Sequence, residues 1–539
     1  MKSATLKLYR SLHTWTGILC GLTLFVAFYA GAITVFHEDL HQWQNPGWRT
    51  QGQETPADAQ KLLTTALAAH PELKGNIAIM PAGSHSSPNN EAYWYDPKID
   101  DWAHKSLADF DPQTRPQHGS ELADFVDSVH RTLGIPVAGQ YVMGIVSIIY
   151  ALALVSGVLI HLRQLVDDLF AVRPGKNKKR FWQDAHNLIG VISLPFHIIF
   201  AITGALFSLF VILMAAFNFG VFDGQLEKRF IEAVGTVPPN SPQASGKPAA
   251  MLSVAQLTAR ARALAPDFEP SWLGFSNYGD SNAYVEILGN TPQTVSRFTA
   301  MTLKATNGSV VKIQTRGERD VNHAVMSSLY GLHFGNYAGD LVRWAYFLLG
   351  LSGAVLFYSG NLLWIESRRK HRQQQQARAP YRMAQGTLGW CLGTCLGISL
   401  AFSTALLAPM AGLDAARWEK IAGFGGFFVA ILWSFARPPA RGAVELLMVT
   451  AMATLAIPLV NGLVTGDHLL LTPWHGQWAI FGVDLTATLM GAGFVYLAAL
   501  SRRRSRNGQP NSVWALDGPP DITATTPDAQ ADAAPIAAR

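Results

Sequence analysis

Long apolar runs, separated by polar and often basic segments, dominate the chain. About 20 apolar residues suffice to cross a bilayer. Eight runs reach or approach that length: Trp15 to Phe36, Tyr141 to Ile160, Leu188 to Phe217, Leu341 to Trp364, Thr387 to Leu407, Ile421 to Phe435, Val444 to Val464 and Trp478 to Leu500. Two long connections, Glu38 to Gly139 and Val221 to Asp340, carry another pattern. Each has a helix-like stretch (Ala57 to Ala69; Val254 to Leu264) followed by alternating runs such as Tyr93 to Tyr95 and Ala283 to Leu288. Such alternation is the period of a half-buried strand. Asp111-Pro112 and Asn307-Gly308 read as turns. The pattern predicts an all-α polytopic membrane bundle of about eight helices with two small α+β domains outside it. Its segments are 1–37 (first span), 38–139 (first outer domain), 140–220 (spans two and three with a basic loop), 221–340 (second outer domain), 341–370 (span four), 371–505 (a four-helix extension) and 506–539. The last, rich in Pro, Ala, Asp and Thr, is expected to be unstructured.

Charge sets the orientation. Lys2, Lys7 and Arg10 precede span one; Arg163, Arg173, Lys176, Lys178, Lys179 and Arg180 separate spans two and three. Arg368, Arg369, Lys370, Arg372, Arg378 and Arg382 lie between spans four and five, Arg437 and Arg441 follow span six, and Arg502, Arg503, Arg504 and Arg506 follow span eight. Every second connection is therefore basic, which places both termini in the cytoplasm of a bacterial inner membrane and the two outer domains in the periplasm. The net charge of +5 resides beside the spans, so it does not argue for nucleic acid. Only 15% of the 539 residues are charged, against about 25% in soluble proteins. Cys20, Cys391 and Cys395 all fall in apolar runs and read as packing residues.

The chain repeats internally. His13, Gly17 and Gly31 recur as His186, Gly190 and Gly204 at an offset of 173. His130, Ser156, Gly157 and His161 recur as His333, Ser359, Gly360 and Trp364 at an offset of 203. The unit is span, outer domain, span, twice over in the same orientation, and parallel repeats of this kind build bundles around a shared interior. The last four spans have no such partner.

Histidine inside a membrane is costly and by default marks function. His13, His186 and His161 fall at the inner ends of spans. His37, His130 and His333 fall at the outer ends, and His197 stands about 16 Å deeper than His186 by helical rise. Neutral imidazole ligates iron well, and facing helices can supply both axial positions. Two groups at opposite faces suit two stacked haems. The repeat-matched His13, His130, His186 and His333 lead this set. Trp15, Phe25, Phe200 and Trp344 are candidates to wall a porphyrin, or else ordinary interfacial and packing aromatics. His323 precedes His333 by ten residues and is expected near the outer group. No dinucleotide or Walker fingerprint is present, so the electron donor is expected to be a quinol or a soluble cytoplasmic reductase.

The pattern Leu12-His13-x-Trp15-x-Gly17, the Gly31-Ala-Ile exit, the Gly-Leu-His333-Phe-Gly start and the Ser-Gly157 and Ser-Gly360 pairs resemble the PepSY-associated transmembrane family over about residues 1 to 370. The resemblance implies PepSY-like outer domains, haem b on the four repeat-matched histidines, and the activity of an inner-membrane ferric-siderophore reductase of the ferripyoverdine or ferrioxamine type. Implied partners are the ferric siderophore, the lipid bilayer, and periplasmic siderophore-binding or iron-uptake proteins. The extra C-terminal spans depart from the minimal members, and Trp364 in place of a second His161 leaves the axial pairing open. Two other readings stay open: a transporter of a ferric chelate or metal, and a non-enzymatic membrane subunit with PepSY binding modules. A protease is disfavoured because no His-Glu-x-x-His occurs in a span.

Overall fold

The computed structural model describes every residue except 1–2, 85–86, 97–100, 112–118, 163–177, 238–242, 293, 297, 371, 374–375, 517–521 and 524–539. Arg163, Arg173, Lys176 and the Pro112 of the expected turn lie outside the described residues.

Among the described residues, seven helices are long and apolar enough to cross a membrane: α1 (Ser3–Thr34), α5 (Ala138–His161), α12 (Asp340–Ser367), α13 (Arg378–Met410), α14 (Ala415–Ala436), α15 (Pro439–Thr465) and α16 (Trp478–Asn507). The third expected span is not one helix. It is α6 (Lys178–Ile192) and α7 (Leu194–Ser208), bent by 69° at their junction, then a short α8 (Phe210–Gly220). Pro195 explains the bend. It has no N–H for the carbonyl one turn back, and its ring crowds that carbonyl. The equivalent position in α1 is Leu22, and α1 runs unbroken. Counted as one, the bent pair restores eight spans.

The contacts divide the chain into two compact units: Met1–Ala30, Ile148–Ile198 and Gly350–Arg539 in one; Gly31–Ser147 and Ile199–Leu349 in the other. The second unit holds the sheet. Strands β1 (Asn76–Met80), β2 (Glu91–Asp96) and β3 (Asp101–Ser106) come from the first connection. Strands β4 (Glu269–Ser276), β5 (Tyr284–Asn290), β6 (Phe298–Lys304) and β7 (Val310–Gln314) come from the second. They form one antiparallel sheet ordered β3-β2-β1-β4-β5-β6-β7. The seam is β1 against β4, with Ile77 opposite Phe275 and Ile79 opposite Leu273. An unpaired β1 or β4 would leave a bare edge, and pairing them satisfies both. Each connection also gives one helix: α3 (Pro56–Ala69), started by a Thr55–Asp58 capping box, and α10 (Val254–Leu264), started by a Ser253–Gln256 box. Leu62, Leu63 and Ala66 of α3 and Leu257 and Ala261 of α10 share a single core with Ile77, Ile79, Leu273, Phe275, Val285 and Ile287. The two connections thus pool one sheet and one core, where the sequence suggested two separate bodies.

In the first unit, α13 packs on α14 and α15 through small residues. A Cβ at Gly393 would stand 2.9 Å from the Phe427 carbonyl, the close backbone approach by which membrane helices associate. The three cysteines are free and buried. Residues 508–516, expected to be unstructured, pack instead: Val513 and Trp514 are buried with Leu362, Ile365 and Leu388. The strand β9 (Ile522–Thr523) pairs with β8 (Gln376–Ala377).

Leu273 is fully buried at the seam. Leu273→Ala is expected to cost about 2–5 kcal/mol. Because the core is shared, limited proteolysis followed by mass spectrometry should show sites in both connections becoming accessible together. Cleavage confined to 221–340 would mean two independent halves.

Candidate functional site

The first unit brings His13 of α1 and His186 of α6 together, with ring centres 6.3 Å apart and planes at 75°. Each ring is anchored in the same way. His13 Nδ1 lies 2.9 Å from the Ala153 carbonyl of α5. His186 Nδ1 lies 3.2 Å from the Leu356 carbonyl of α12 and 3.0 Å from Ser359 Oγ, whose own proton goes to Leu356. Residues 153 and 356 are related by the repeat offset of 203. A carbonyl only accepts, so Nδ1 carries the proton and Nε2 keeps its lone pair. Gly157 makes room for this: a Cβ there would meet His13 Cε1 at 3.1 Å. His161, half-buried at the end of α5, is within electrostatic reach of both rings.

His130 and His333 are paired in the second unit, with ring centres 6.2 Å apart and planes at 41°. Both sit just outside spanning helices, at the outer ends where the sequence placed them. They occupy the last turns of α4 (Leu122–Thr132) and α11 (Val321–Phe334), which close on left-handed Leu133 and Gly335. His333 Nδ1 lies 2.7 Å from Thr203 Oγ1, and that hydroxyl donates to the Ile199 carbonyl. Thr203 therefore accepts from Nδ1–H, and Nε2 again keeps its lone pair. A Cβ at Gly31 would stand 2.7 Å from His130 Nδ1, so only glycine lets that ring lie against α1.

His197 is fully buried among Phe28, Phe196 and Phe357, with Tyr150 Oη 2.5 Å from its Nδ1. Its Nε2 has no hydrogen-bond partner. His37 joins Asp124 and His41 instead of the His130–His333 pair. His323 bonds the Val234 and Phe298 carbonyls and is structural. Of the four aromatics considered, Phe200 lies 5.0 Å from His333, while Phe25 stacks on Tyr29 and Trp344 packs on Phe36. Trp15 is exposed. Sequence reasoning missed Thr203, Ser359 and Tyr150. The repeat could have flagged Ser359, which lies in the matched Ser-Gly pair; Thr203 has Ala30 at its equivalent position and gave no such signal.

The donor set fits a bis-imidazole iron. Two imidazoles bound at about 2 Å each would place their ring centres about 6 Å apart, which both pairs match. One turn beyond each first-unit histidine, a Cβ at Gly17 would meet nothing within 4 Å, and one at Gly190 only Leu356 at 3.8 Å. Packing within the chain does not require glycine at either position, whereas a flat macrocycle lying along the helix would.

The family model described as the PepSY-associated TM region matches residues 10–367. The chain is 27% identical over 407 residues to an uncharacterized protein of Pseudomonas aeruginosa, covering 70% of this chain and 95% of that relative.

Thr203→Val removes the acceptor of a buried N–H and is expected to cost about 1–3 kcal/mol. Thr203→Ser should restore most of it. Thermal unfolding of the purified protein reads both, and equal loss in the two variants would mean that the hydroxyl does not hold His333.

Proposed function

We propose that this chain, which belongs to the family of the PepSY-associated TM region, is a haem b-carrying reductase that passes electrons to a ferric siderophore across the inner membrane. The observation that carries the reading is the shared anchoring of His13 and His186, each Nδ1 held by a carbonyl 203 residues from its counterpart. An imidazole whose second nitrogen is held in this way is fixed in tautomer and direction, the usual preparation of a metal ligand.

His13 and His186 would hold one haem and His130 and His333 the other. Bound haem supplies reversible one-electron chemistry. The chain's own part is to set imidazole basicity through the Ala153, Leu356 and Thr203 acceptors and to hold each ring in place. Positive-inside charge puts His13 and His186 on the cytoplasmic side, where a quinol or a soluble reductase is the donor. The shared sheet of the two connections then stands on the periplasmic side, where the ferric chelate is positioned. Siderophore oxygens are hard ligands that favour ferric iron, so reduction weakens the chelate and frees ferrous iron. Periplasmic siderophore-binding or iron-uptake proteins are the partners on that side.

Alanine at His13, His130, His186 or His333 should lose haem or change its spin state, read by optical and electron paramagnetic resonance spectra. Unchanged spectra in all four variants sink the haem reading, and changes at one pair alone leave one haem. Gly17→Leu, whose Cβ would meet nothing within 4 Å, should lower haem content at unchanged expression.

Function is tested in proteoliposomes with an enclosed reductant, an external ferric siderophore and a ferrous trap. Trapped ferrous iron that depends on the His13–His186 pair is the expected result. Haem reduced from within yet never reoxidised by a ferric chelate would overturn the siderophore assignment.

A further inference from the structure

We propose that His37, His41 and Asp124 form a divalent-metal site on the second unit that takes ferrous iron. His37 and His41 are four residues apart on α2 (His37–Gln44), so their rings share one face, with centres 4.6 Å apart. Asp124, in the first turn of α4, turns its carboxylate to both. Oδ1 is 3.2 Å from His37 Nε2, and Oδ2 is 3.9 Å from His41 Nε2. One ligand atom from each residue lies within 4.8 Å of the other two. Among the described residues this is the group of three His, Cys, Asp or Glu side chains close enough to share an ion. Ligands about 2.0–2.2 Å from one ion stand about 3 Å apart on one face of its coordination shell, so small side-chain turns complete the site.

The scaffold is fixed. Leu40 and Trp43 bury the other face of α2. Gln44 clamps α2 to α4 beside Asp124: its Oε1 accepts from Ala123 N–H at 2.8 Å and its Nε2 donates to the Ser120 carbonyl at 2.7 Å. Gln44 Nε2 also lies 3.3 Å from His41 Nδ1. Ligation through His41 Nε2 needs the proton on Nδ1, so this longest and weakest of the three Gln44 contacts is the one that yields.

Two imidazoles and one carboxylate, with the remaining positions open to water, form the donor set that takes ferrous iron in non-haem centres. Asp124 is 60% exposed and His37 29%, so an ion can reach them. Glu38 and Asp127 act electrostatically on His37 and add negative potential. The site does not arise from the repeat that pairs the other histidines. At the repeat offsets, His37, His41 and Asp124 correspond to Phe210, Met214 and Ser327, which cannot form such a set. That ferrous iron arises at this face rests on the reductase reading; the affinity of the three residues for a divalent ion does not.

The test is an anaerobic titration of the full-length, chelator-treated protein with Fe(II) against a ferrous indicator, and with Mn(II) followed by loss of its free-ion resonance. One equivalent should bind beyond any haem. His37→Ala, His41→Ala and the near-isosteric Asp124→Asn should each weaken binding by about tenfold or more. His70→Ala, a surface imidazole beside Glu72, should not. Binding that survives the His37→Ala/His41→Ala double variant, or no binding by the parent protein, overturns the site. Binding by a protein that fails the proteoliposome assay upholds the site and removes only the reductase reading.

Discussion

A metal-ligating histidine almost always has its second ring nitrogen held by another group. Among the described residues, His13, His186 and His333 have Nδ1 paired with a group on another helix: the Ala153 and Leu356 carbonyls and the Thr203 hydroxyl. Much of the architecture follows from that constraint. A carbonyl inside a helix can accept from a neighbouring side chain only if the helices come close, and close approach needs small residues at the crossing. Gly157 beside His13 and Gly31 beside His130 answer that need. The repeat carries the His13 arrangement of ring, acceptor and glycine into the second half of the chain as His186, Leu356 and Gly360.

The sequence revealed the histidines and glycines because they recur at fixed offsets, and a recurrence is visible without any structure. It did not reveal what one copy alone contains. Tyr150, paired with His197, is a single polar residue in an apolar run, and such residues have many roles. The β1–β4 seam joins strands about two hundred residues apart in the chain, and only tertiary context selects that partner over a separate sheet for each connection. Two misses had legible signals. Pro195 stood inside the expected third span, where its missing N–H and its ring favour a kink or break. Val513 and Trp514 stood in a tail whose average composition hid two good anchors, and both are buried.

The C-terminal helices follow a different logic from the repeats. They carry none of the repeat-matched histidines, and their contacts depend on Gly389, Gly393 and Gly397 at four-residue spacing against α14. The same helix bundle takes in the end of α12 through Leu362 and Ile365, and residues 513–514 close over it. The extension therefore buttresses the helix that presents the Leu356 carbonyl. A change far from either histidine pair can reach His186 through α12.

Departures from symmetry carry as much meaning as the symmetry. Ala30 occupies the position equivalent to Thr203, so that position of the first repeat offers no hydroxyl. Pro195 and His197 replace Leu22 and Leu24, adding a bend and a buried imidazole to one half alone. A perfect repeat would give two ligand pairs of equal character. His13 and His186 lean on two backbone carbonyls, His186 on Ser359 Oγ as well, while His333 leans on a hydroxyl that has already given its proton to the Ile199 carbonyl. Acceptors of different strength leave different electron density on the ligating nitrogens. On the proposed haem reading, the two histidine pairs are thereby unequal as ligands.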